Sequence, residues 1–136
     1  MKIIVCVDTK NGMMFNNRRQ SQDKILRQRV MKLVGENKLW MNAYTGEQFS
    51  DYCDKIIVDE NFLEKAEEND FCFVENNVLD KYAHKITCVI LYKWNRLYPS
   101  DCILTFSLDD YTLKETGEFT GRSHDKITEE IYEKIK

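Results

Sequence analysis

The chain opens Met1-Lys2-Ile3-Ile4-Val5-Cys6-Val7-Asp8-Thr9-Lys10-Asn11-Gly12-Met13-Met14-Phe15-Asn16-Asn17-Arg18-Arg19-Gln20-Ser21-Gln22-Asp23. Ile3 to Val7 is a short, continuous apolar run rich in β-branched residues. It is too short for a buried helix and offers no polar face to water, so it reads as a central strand covered on both sides. The run stops at an acid, turns at Asn11-Gly12 and passes two arginines into a helix start. Ligands of open sheets sit beyond the carboxyl ends of such strands. Asp8, Asn11, Arg18, Arg19 and Asp23 therefore stand near any site.

Working outward, Leu26, Val30, Leu33 and Val34 recur at the spacing of one helix face, with Ser21 as a cap and Gly35 as a stop. Leu39-Trp40-Met41, Ile56-Ile57-Val58, Phe71 to Val74, Ile86 to Tyr92 and Cys102 to Phe106 read as strands. Short helices are expected after Thr45 (capping-box spacing to Gln48), after Asp59 and around Val78 to Tyr82. Tyr111 to Lys114 alternates like an exposed edge strand, and Gly117 and Gly121 bracket a loop. Ile127, Ile131 and Ile135 recur every four residues among Lys and Glu, which predicts a C-terminal helix capped by Ser123 or Asp125. Alternating strands and helices argue for parallel pairing, and the late run of strands for an antiparallel end to the same sheet. The expected architecture is a single α/β domain over residues 1–136. Its mixed, mainly parallel central sheet is flanked by helices and ends in a helix.

The chain has 136 residues, 43% of them hydrophobic and 32% charged, with a net charge of −3. That balance describes one soluble domain and argues against general nucleic-acid binding, which needs many cationic phosphate contacts. No apolar run is long enough to span a membrane, and Met1-Lys2 leads directly into a strand, unlike a signal peptide. The five cysteines are scattered, odd in number and form no CxxC pair, which points to buried thiols in a reducing cytoplasm. Two isolated histidines, and aspartates with no recurring ligand spacing, give no metal motif.

The order of these elements resembles dihydrofolate reductase over nearly the whole chain. Ile3 to Val7, Asn11-Gly12 and Asp23 fall where that family has its first strand, its Asn-Gly turn and the substrate-binding acid in the first turn of a helix. Met41-Asn42-Ala43-Tyr44-Thr45 stands where the family has Met-Gly-Arg-x-Thr. Ser100-Asp101, Asp109-Asp110-Tyr111 and Glu118-Phe119 echo its C-terminal motifs. The resemblance implies a reductase-like fold in which Asp23 holds a heterocycle. The family's cofactor contacts are replaced, however. Asn42-Ala43 takes the place of Gly-Arg, no Gly-Gly stretch lies between Phe73 and Ile86, and Asn17-Arg18-Arg19 stands for Leu-Pro-Trp. NADPH is accordingly disfavoured, and no cofactor is expected. The chain is also similar to short bacterial and phage sequences labelled ribonuclease Z. That activity needs a His-x-His-x-Asp-His motif, and His84 and His124 stand alone.

The expected function is binding of a nucleotide or nucleotide-derived molecule at the carboxyl edge of the sheet. A phage-type protein sequestering a signalling nucleotide fits that pattern. Asp23 and Asn42 would hydrogen-bond the ring and Tyr44 would stack on it. Arg18, Arg19 or Arg122 would meet anionic groups, because guanidinium forks suit phosphate. Arg96, among the aromatics Trp94 and Tyr98, would either help stack a nucleotide or cover a sheet edge, the commoner role of such a cluster. Arg122-Ser123-His124 precedes the final element as an anion site or helix cap. Ser123-His124-Asp125 is not a catalytic triad, because neighbouring side chains on a helix point apart. Two alternatives stay open: a divergent oxidoreductase or nucleotide hydrolase using Asp23 as acid or base, and an interaction module without a small ligand. Composition does not determine the oligomeric state.

Overall fold

Ile3 to Val7 lies in β1 (Lys2–Val7), the middle strand of a seven-stranded sheet in the computed structural model, which describes residues 1–135. The other strands of this sheet are β4 (Leu39–Met41), β5 (Ile57–Val58), β6 (Phe71–Phe73), β7 (Cys88–Lys93), β9 (Tyr111–Phe119) and β10 (Ile127–Lys134). Their order is β5-β4-β6-β1-β7-β10-β9. Four pairings, β1 with β6, β1 with β7, β4 with β5 and β4 with β6, are parallel. In this sheet β10, between β7 and β9, runs against the other strands and pairs antiparallel with both neighbours. The fold is therefore α/β with a mixed, mostly parallel sheet. A small antiparallel sheet joins β2 (Gly12–Phe15), β3 (Arg18–Arg19) and β8 (Cys102–Ile103). No helix among the described residues is long and apolar enough to cross a membrane.

The alternation of β1 explains its burial. Ile3, Val5 and Val7 enter one core, with Val74, Val89, Leu91, Met13, Met14 and Phe62. Ile4 enters the other, with Leu26, Val30, Val34, Phe49, Phe73 and Ile90. Helix α1 (Lys24–Val34) seals this second face through Leu26, Val30 and Val34, each worth about 1.5–3 kcal/mol on burial. Gly35 ends it at φ 58°, with its N–H donated to the Met31 carbonyl. Two shorter helices, α2 (Ala43–Gln48) and α3 (Phe62–Lys65), follow β4 and β5. Helices flank one face more than the other. The first core is closed largely by non-helical chain carrying Leu104, Phe106 and Leu108.

The C-terminal element is a strand, not the expected helix. Residues 127, 131 and 135 are separated by an even number of positions, so they share a face in a strand as well as on a helix. A period of four is thus ambiguous. The open edge of β7 resolves it, since Thr128 to Glu133 pair with Lys93 to Cys88. Gly117, expected in a loop, lies inside the edge strand β9 opposite Glu129. Cys53 is exposed, while Cys72 and Cys88 are buried.

Candidate functional site

The parallel strands end together, so Asp8, Asn42, Glu75 and Trp94, which follow β1, β4, β6 and β7, share one edge of the sheet. The chain after β1 folds back over that edge. Phe15-Asn16-Asn17-Arg18 is a two-residue hairpin turn with φ of 50° at Asn16 and 59° at Asn17. Both central residues are left-handed, as the primed turns that match strand twist require, and asparagine tolerates this conformation. The turn sets Phe15 opposite Arg18 and Met14 opposite Arg19. Successive residues of a strand point to opposite faces. Arg18 is exposed, whereas Arg19 turns inward.

Arg19 meets Glu75 with both arms of its fork, Nε to Oε2 at 2.9 Å and Nη2 to Oε1 at 3.1 Å. Nη2 also donates to the Tyr44 carbonyl, the guanidinium lies 4.3 Å above the Tyr44 ring, and the Arg19 N–H donates to the Tyr44 hydroxyl at 2.7 Å. Thr45 Oγ1 donates to the same Glu75 oxygen. Burial would lower the Arg19 pKa, but its hydrogen bond and charge pairing with Glu75 outweigh that and hold it above its ordinary value. Arg19 and Tyr44 thus lock onto each other rather than standing open to a ligand. Asn42 is likewise engaged: its Oδ1 caps α2 at Thr45 N and its Nδ2 donates to Asn76 Oδ1.

Asp8 ties three segments together. Its Oδ1 accepts from the N–H of Lys10 and Gly12, and its Oδ2 from Tyr98 N and Gln20 Nε2. Burial would raise this carboxyl, but these donors pull it below its usual range. A Cβ at Gly12 would lie 2.6 Å from Gln20 Nε2 and 2.8 Å from Asp8 Oδ2, so any larger residue would have to displace these side chains. Asn11, at φ 61°, is an exposed turn residue.

Asp23, not Ser21, caps α1. Its Oδ1 accepts from Ile25 N (2.9 Å) and Leu26 N (3.3 Å), and from Arg122 N at 3.0 Å. Oδ2 accepts from Ser123 N at 2.9 Å and meets His124 Nδ1 at 2.8 Å. The loop before β10 is latched to the start of α1 by one carboxylate. Burial raises this carboxyl, but the His124 hydrogen bond and the N–H groups of Arg122, Ser123 and Leu26 bring it down from 3.8 to about 2. The chain itself saturates both Asp23 oxygens. The ring-binding role implied for Asp23 by the reductase resemblance therefore has no free lone pair to use.

His124 is buried and stacks on Trp94 with ring centroids 4.5 Å apart. Its Nε2 lies 2.8 Å from Ser21 Oγ and 3.3 Å from the Tyr98 hydroxyl. Asp23, His124 and Ser21 are hydrogen-bonded in series, although Ser123 and Asp125, next to His124 in sequence, are exposed. Arg122 and Ser123 contribute backbone N–H groups, and the Arg122 side chain is exposed, as is Arg96. Ser21 and Glu75 are site residues beyond those singled out from sequence. Glu75 could have been found as an acid at the end of a parallel strand, but Ser21 carried no signal beyond its cap position.

Phe15, Asn16, Arg18, Arg19, Gln20, Tyr98 and Pro99 line an open cleft of about 490 Å³ beside these knots. Among the described residues Arg18 has no carboxylate within ion-pair distance. A second groove, of about 440 Å³, lies at the amino ends of β1 and β7. It is lined by apolar side chains such as Leu33, Phe71 and Ile131 together with Lys2, Thr87, Glu133 and Lys134. In comparisons with known proteins, no family model matches the chain and no curated protein matches its sequence.

Proposed function

We propose that the protein binds a small anionic molecule bearing a flat ring, of the nucleotide or nucleotide-derived class, in the cleft between the β2–β3 hairpin and Tyr98. The carrying observation is the exposed, carboxylate-free Arg18 guanidinium set opposite Phe15 in a cleft that Tyr98 also lines. A guanidinium fork matches phosphate oxygens, and aromatic rings supply a stacking surface. The position, at the carboxyl edge of a mostly parallel sheet, suits such a ligand. A reductase-like frame is supported by the order of the elements and by the C-terminal strand, which the family also has. Reductase chemistry gains no support, because Asp23 is saturated and Ala43 stands where the family binds the cofactor phosphate. Binding without reduction is the better reading of this site.

Thermal shift against nucleoside mono-, di- and triphosphates and cyclic nucleotides tests the proposal. A ligand at one hundred times its dissociation constant adds about 2.7 kcal/mol of stability. Arg18→Ala should weaken a stabilising nucleotide at least tenfold in titration calorimetry while leaving the unliganded melting temperature unchanged. Failure of every nucleotide at millimolar concentration to raise that temperature would sink the proposal.

A further inference from the structure

We infer that Ser21 is an activated nucleophile, with His124 as its general base and Asp23 as the residue that positions the histidine, and that the chain hydrolyses small carboxylic esters. The three residues come from two segments about a hundred positions apart, and the geometry is that of a relay. His124 Nδ1 is 2.8 Å from Asp23 Oδ2, and His124 Nε2 is 2.8 Å from Ser21 Oγ. An ionised carboxylate can only accept a hydrogen bond, so Nδ1 carries a proton, and in the neutral imidazole Nε2 then presents its lone pair. That lone pair receives the Ser21 hydroxyl, the shorter of its two contacts, and so points toward serine deprotonation. Three features set this apart from a histidine that merely fastens loops. Ser21 is partly exposed while His124 and Asp23 are buried, so the serine is the one residue of the three that reaches solvent. The imidazole is held flat by Trp94. The Tyr98 hydroxyl stands 3.3 Å from Nε2, a second O–H at the same nitrogen and of the kind that can stabilise developing charge. Gln20, next to Ser21 in sequence, and Tyr98, which contacts the same His124 Nε2, both line the 490 Å³ cleft, so the cleft adjoins the relay although Ser21 does not itself line it.

The step balances without a co-reactant other than water. Ser21 Oγ bonds to the ester carbon as its proton passes to His124 Nε2, and the carbonyl π pair moves to oxygen. The returning pair expels the alkoxide, which takes the proton from Nε2. Water, deprotonated by Nε2, then attacks the acyl-serine and releases the acid, and Ser21 regains its proton. Nothing in this sequence requires a nucleotide, so the activity stands or falls independently of the binding proposed above.

The test is incubation of the purified full chain with a fluorophosphonate, which adds irreversibly to base-activated serines, followed by peptide mass mapping. The expected result is one adduct, on Ser21, formed at least a hundredfold faster than on the exposed Ser50 and Ser107 of the same molecule. This internal comparison needs no variant. Ser21→Ala should abolish both labelling and p-nitrophenyl acetate turnover while keeping the wild-type melting temperature. Asp23→Asn should remove the low-field Nδ1 proton resonance of His124, as loss of any such tie would, and should also slow labelling of the protein that remains folded, which a purely structural tie would not do. Labelling of Ser21 no faster than of Ser50 would overturn the inference. So would ester turnover undiminished in Ser21→Ala.

Discussion

Replacing Asp23 with alanine removes one carboxylate that serves five donors: the N–H groups of Ile25, Leu26, Arg122 and Ser123, and His124 Nδ1. Losing the helix cap alone costs about 1 kcal/mol. Leaving the latch donors beside a buried histidine without an acceptor adds about 1–3 kcal/mol for each unsatisfied group. With the Arg122 and Ser123 N–H groups counted, the sum is about 3–7 kcal/mol, a range that contains the usual 3–5 kcal/mol penalty for breaking a buried pair from one side. The pH dependence gives a second handle. The folded-state pKa of Asp23, about 2, lies below the ordinary 3.8, so the unfolded chain binds the proton more readily. The associated stability, roughly 2 kcal/mol at 1.36 kcal/mol per pKa unit, is present above pH 4 and is lost as the pH falls from 4 toward 2. Urea denaturation of wild type and Asp23→Ala should therefore show a gap of at least about 3 kcal/mol at pH 5 and above. That gap should shrink by roughly 2 kcal/mol on the way to pH 2, because the alanine variant has no such group to titrate. A gap under about 1 kcal/mol at pH 7, or one that stays level down to pH 2, would refute the latch.

Arg19→Ala strands the buried Glu75 and should cost about 3–5 kcal/mol in urea denaturation at neutral pH. Arg19→Lys should recover less than half of this, since an ammonium cannot make the paired 2.9 and 3.1 Å contacts. Gly121→Ala would bring a Cβ to 2.6 Å from Asp23 Oδ2, whereas the same change at Gly117 meets nothing within 4 Å. The first should lower stability by about 1–3 kcal/mol and the second should leave it within about 0.5 kcal/mol. Equal melting temperatures for these two variants would contradict the tight closure of the loop on Asp23.

Local pattern carried much of the fold. The buried central strand, the face of α1 and its glycine stop, and the strands at residues 39–41, 71–73 and 88–93 all follow from the period of apolar residues and from turn chemistry. Each of these signals is written in residues a few positions apart, so the unfolded chain already contains it. The edge at which polar side chains gather was legible for the same reason, because an apolar run that stops at an acid marks the end of a strand.

What the sequence alone determined, then, is which segments are buried strands, which face of α1 is apolar, and which end of the sheet gathers polar side chains. Only the tertiary structure decided the rest. Isoleucines four apart fit a helix face and a strand face equally, and β10 became a strand because β7 had an unpaired edge to offer. Arg18 and Arg19 are alike in sequence, yet the β2–β3 pairing sends one to solvent and the other onto Glu75. His124 belongs with Ser21 and Asp23 rather than with its neighbours Ser123 and Asp125, because the loop entering β10 crosses the start of α1. Hydrogen-bond partnership is settled by which segments the sheet order brings within about 3 Å, and no local periodicity encodes that.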